Sequence, residues 1–94
     1  MFRLTTKVLR MTQLHAFPAA LAATVTAAIK ADGKSQRQVA ELTGIPLVTL
    51  NRKLTGRVPL NSLELAMIAE VLDTTPTDLT LRAERMIPLA APAA

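Results

Sequence analysis

The stretch Ser35–Gly56, SQRQVAELTGIPLVTLNRKLTG, decides the fold. Ser35 stands three residues before Gln38, the spacing of a capping box. There a hydroxyl and an amide satisfy backbone N–H groups left free at a helix start. Val39 and Leu42 follow at helical spacing, with the small Ala40 between them. Gly44 suits a helix exit, because glycine takes a positive φ at little cost. Pro46 fits an early position in a second helix, where its missing N–H matters least. Leu50 and Leu54 lie four apart in that helix and face a core. Thr49, Asn51, Arg52 and Lys53 give it a polar, basic surface, and Gly56 closes it. The stretch reads as two short helices joined by a tight turn.

The flanks supply what such a pair cannot provide for itself, a surface on which to bury its apolar faces. On the amino-terminal side Pro18 opens a helix expected to run to about Ala31, with Leu21, Val25, Ala28 and Ile29 as its apolar stripe. Asp32-Gly33-Lys34 ends it. On the other side Gly56-Arg57-Val58-Pro59 is a loop, and Asn61 with Glu64 repeats the capping signal. Leu65, Ile68, Ala69 and Leu72 form the core stripe of the helix that follows. Thr75 caps a last helix, with Pro76 at its first position, Asp78 at its third and Leu79 as its anchor, expected to end near Arg85. The fold expected is all-α, a compact four- to five-helix bundle with a central helix-turn-helix. Residues 18–85 form the domain, 1–17 an amino-terminal arm or extra short element, and 86–94 a flexible alanine- and proline-rich tail.

Composition narrows the function. A chain of 94 residues is one small domain, too small to back a deep enzyme cleft with several layers. There is no cysteine, which excludes disulfides, a thiol nucleophile and a cysteine zinc site. His15 is the only histidine, and no metal cluster or nucleophile pair stands out, so neither enzyme activity, a metal nor a cofactor is expected. Phenylalanine supplies all of the 2% aromatic content, too little for a stacking platform for single strands. The net charge of +4 and pI of about 10.4 serve solubility or attract a polyanion. The run AFPAALAATVTAAIKA superficially resembles an export signal, but Thr24 and Thr26 interrupt it and its removal deletes a helix of the domain. No run is long and apolar enough for a membrane span, and a cytoplasmic protein is expected.

Two helices about a glycine turn, at this size, make the helix-turn-helix unit, whose second helix enters the DNA major groove. Gripping phosphates takes amides, cations and helix N-termini; reading bases takes side chains at the exposed front of the second helix. Gln36, Arg37 and Gln38 lie at the start of the first helix, and Lys53 and Arg57 near the end of the second; these five are the candidate phosphate contacts. Leu47, Val48, Asn51 and Arg52 are the candidate base readers. Arg52 leads them, because its fork matches guanine O6 and N7 and equally a phosphate. Leu47 and Val48 cannot hydrogen-bond; they meet a thymine methyl or another part of the protein. Leu60, Leu63, Met67 and Val71 lie mostly off the core stripe of their helix and form a candidate seam against a second copy.

Ser35 to Leu79 resembles the lambda-repressor/Cro type of helix-turn-helix, through SQRQVAELTGI, TLNRKLTGR and ELAMIAEVLDTTPTDL at fixed mutual spacing. RKLTGR with its following ELAMIA is especially like actinobacterial and phage versions. By position, the resemblance implies a phosphate-binding glutamine at Gln36 and a small helix-contact residue at Ala40. It implies a turn glycine at Gly44, and base readers at Leu47, Val48 and Arg52 with Asn51 assisting. Gly56 then closes the recognition helix. Pro46 stands where many relatives have a small polar cap, and Leu47 and Val48 where many have polar residues. The resemblance implies a sequence-specific regulator of transcription that binds double-stranded DNA, often as a homodimer: a phage or prophage repressor or a Cro-like protein. The alternative it leaves is an antitoxin, or another interaction module of this fold with a protein partner.

Overall fold

In the computed structural model, residues 2–87 are described, with side chains from residue 6 onward. Six helices follow one another: α1 (Phe2–Leu14), α2 (Phe17–Ala31), α3 (Gln36–Thr43), α4 (Leu47–Leu54), α5 (Ser62–Val71) and α6 (Pro76–Met86). The class is all-α, as expected. The helix count exceeds the expected four to five because the amino-terminal segment is itself helical.

Five of the helices build one core, and each contributes one large side chain with no measurable exposure: Val25, Val39, Leu50, Ile68 and Leu79. α2 lies along α6 and touches α4, while α3 packs against both α4 and α5. Among the described residues α1 shares no comparable interface with any other helix. It carries Val8, Leu9 and Met11 into solvent, and the molecule is correspondingly long, 50 Å by 21 Å by 18 Å. Among the described residues no single helix is long and apolar enough to cross a membrane. α1 and α2 together reach that length, but they are bent by 42° and Leu21, Val25 and Ile29 of α2 are buried in the core.

Helix boundaries follow local chemistry. At α3 the Ser35 Oγ accepts from the Gln38 N–H at 3.1 Å and the Gln38 Oε1 accepts from the Ser35 N–H at 2.8 Å. Asn61 and Glu64 form the same reciprocal pair at α5, at 2.8 and 2.9 Å. Thr75 Oγ1 caps α6 by accepting from the Asp78 N–H at 3.0 Å. Gly44 ends α3 at φ +79°, its N–H donated to the Ala40 carbonyl.

Three details differ from the sequence reading. Pro46 is the residue before α4 rather than part of it, with ψ 139° and its carbonyl accepting the Leu50 N–H. A proline can do this because the position requires an acceptor, not a donor. Leu42 is 63% exposed, and Ile45 is buried in the turn instead. Val39, Ala40 and Thr43 define the inner face of α3, and Leu42 lies on its far side. Met86 closes α6 and Ile87 is buried, so the ordered body extends past the expected start of the tail. The rest of that expected tail, 88–94, lies outside the described residues.

Candidate nucleic-acid interface

The core anchors α4 through Leu50 and Leu54, both buried. That choice of inner face determines the outer one. Val48, Asn51, Arg52 and Thr55 succeed one another at i, i+3, i+4 and i+7, and all four are exposed. Three of them were expected as base readers. Thr55 was missed, although its spacing from Val48 places it on the same strip; its hydroxyl donates to the Arg52 carbonyl at 2.9 Å. Leu47 lies at the edge of the strip, half-buried and packed on the core. Thr49 is half-buried, off the strip.

The start of α3 comes up beside this strip. Asn51 Nδ2 donates to Gln36 Oε1 at 3.2 Å, joining the first residue of α3 to the middle of α4. A shallow groove of about 500 Å³ runs between the two helices, lined by Gln36, Arg37, Leu47, Val48, Asn51 and Arg52. Its lining holds two guanidinium groups and no carboxylate, so its field favours an anion. Arg57, in the loop after α4, is also exposed.

Two expected phosphate contacts have other partners. Gln38 is held by the capping box through its Oε1. Lys53 points from the opposite side of α4 to the Glu64 carboxylate, with Nζ at 2.5 and 2.7 Å from the two oxygens. Its side chain is only 15% exposed and that of Glu64 11%. Burial pushes the Glu64 carboxyl up, but hydrogen bonds from Lys53 and from the Asn61 N–H, with the Lys53 charge, outweigh it and hold it below its ordinary value. The pair braces α4 against α5. The expected seam is also largely internal: Leu60, Met67 and Val71 pack against the chain's own core, and only Leu63 is strongly exposed, at 65%.

A helix pair braced from behind, with a basic, hydrogen-bonding strip on its free side, is the architecture of a DNA-reading domain. The family model for the helix-turn-helix matches residues 26–79, more than half of the chain, and the chain belongs to that family, the Cro/C1 type of DNA-binding transcription regulator. No curated protein matches the chain. No solved structure matches it either.

Proposed function

We propose that the protein is a sequence-specific regulator that acts by occupying duplex DNA, with α4 in the major groove, as a phage or prophage repressor or a Cro-like protein. The observation that carries this reading is the exposed strip Val48–Asn51–Arg52–Thr55 beside the start of α3, with Val48, Asn51 and Arg52 lining a groove with cations and no carboxylate. In this reading Arg52 and Asn51 take base edges, and Gln36, Arg37 and Arg57 hold phosphates. Lys53 drops out of the phosphate set, because Glu64 already neutralises it. A helix of eight residues spans only about 12 Å, a few base pairs, so useful specificity calls for two half-sites and a homodimer on DNA. The phage setting rests on the sequence pattern of RKLTGR and ELAMIA.

Titrating pooled duplexes at two salt concentrations tests this reading. Binding is expected to weaken steeply with salt, and Arg52→Ala to relax preference at one base position by about 1–3 kcal/mol. Unchanged site preference in that variant removes Arg52 from base reading, and no duplex binding at low salt ends the proposal. The exposed Val8, Leu9 and Met11 of α1 favour a second reading, an antitoxin whose partner covers them. A stable complex with a second protein, lost on Val8→Asp, supports that reading; a chain that remains without a protein partner in its own host rules it out.

A further inference from the structure

The recognition strip has a gap in its hydrogen-bonding chemistry at Val48. This side chain is 70% exposed, the most exposed of the large apolar residues described, and it stands at the front of α4 between the groove and solvent. Its neighbour Leu47 is of the same chemical type but is half-buried on the core, so the two apolar residues at the helix front are not equivalent. Leu47 seats the helix; Val48 is free to meet what the helix meets. The rest of the strip is polar. Asn51 is tied to Gln36, which fixes the register between the start of α3 and the strip on either side of Val48.

A valine offers no donor or acceptor. The major-groove edges of adenine, guanine and cytosine offer little else, whereas thymine adds a C5 methyl group. 5-Methylcytosine carries the same methyl on a different hydrogen-bonding edge. Valine is branched at Cβ and is held near one χ1 rotamer in a helix, so it presents a stiff apolar surface rather than one that swings aside. Burying a methyl against it is the one base-specific gain this position supplies.

We propose that Val48 is a specificity-determining residue that reads the C5 methyl of a pyrimidine, thymine or 5-methylcytosine, at one position of each half-site. This inference rests on the duplex-reading function proposed above. It makes the protein sensitive to the methylation state of cytosine at that position.

The test uses the full chain and a duplex selected from a random pool. Thymines are replaced by uracil one position at a time, and affinity is measured by fluorescence anisotropy. One position per half-site is expected to lose about fourfold, the worth of one buried methyl group. At that position, a 5-methylcytosine·guanine pair is expected to bind about fourfold more tightly than unmodified cytosine·guanine. In Val48→Ala, whose fold is checked by circular dichroism, both differences are expected to shrink toward one. Uracil tolerated at every position overturns the inference, as does a methyl effect undiminished in Val48→Ala, which assigns it to another residue or to the shape of the duplex. A selection that recovers no duplex at all fails earlier, at the DNA-binding reading itself, and removes both.

Discussion

α1 and α4 show solvent the same kinds of side chain and differ in what stands behind them. α1 exposes Val8, Leu9 and Met11 beside Lys7 and Arg10. α4 exposes Val48 beside Arg52. Behind α4 lie Leu50 and Leu54, buried, and the Lys53–Glu64 bridge to α5. Behind α1 there is no comparable surface among the described residues, and from residue 6 to its end none of its side chains is buried. An exposed strip reads a ligand with precision only when its backbone is held from the other side. By that criterion α4 has the support a reading element needs, and among the described residues α1 has no comparable brace.

Amide hydrogen exchange offers the strongest contrast. A free helix of 13 residues is marginal in water, whereas α4, anchored by the buried Leu50 and Leu54, is expected to open only with the core. The Leu50 amide is expected to exchange at least about 100-fold more slowly than that of Leu9; equal rates would mean that α1 has a partner in solution. Side-chain truncation comes next. Leu50→Ala is expected to remove about 3 kcal/mol, read from chemical denaturation, while Val8→Ala stays within about 0.5 kcal/mol. A loss at Val8 as large as that at Leu50 erases the distinction.

The Lys53–Glu64 bridge gives a smaller and chemically distinct effect. Lys53→Met leaves a largely buried carboxylate without its cation and is expected to destabilise by about 2 kcal/mol, with the salt slope of DNA binding unchanged. A reduced slope would return Lys53 to the phosphate contacts. The Glu64 pKa is lowered in the folded state, so the bridge contributes fully above the ordinary value of about 4.5 and is lost as pH falls through the lowered one. Stability measured from pH 6 downward is therefore expected to fall in that acid range, and less steeply in Glu64→Gln.

Much of this was legible in the chain because it is local. Both capping boxes, the Thr75 cap and the glycine exit are satisfied within a few residues, so spacing alone identifies them. The strip of α4 was nearly complete in the sequence, since burying Leu50 and Leu54 leaves only one outer face. Side-chain type without direction does not place a residue. Leu42 is apolar yet outward, and Lys53 is basic yet turned inward. Leu60, Met67 and Val71 lie off the main stripe yet against the core. Each depends on which neighbouring helix arrives, information that a 3.6-residue repeat does not carry.

Five capped or glycine-bounded helices, their apolar faces and a basic helix-turn-helix can be read from the chain alone, because these follow from backbone hydrogen bonding and burial within single segments. That Lys53 braces α5, that Gln36 meets Asn51 fifteen residues away and that Val48 rather than Leu47 is free emerges only when the helices pack. Those outcomes depend on how helices distant in the chain pack side by side.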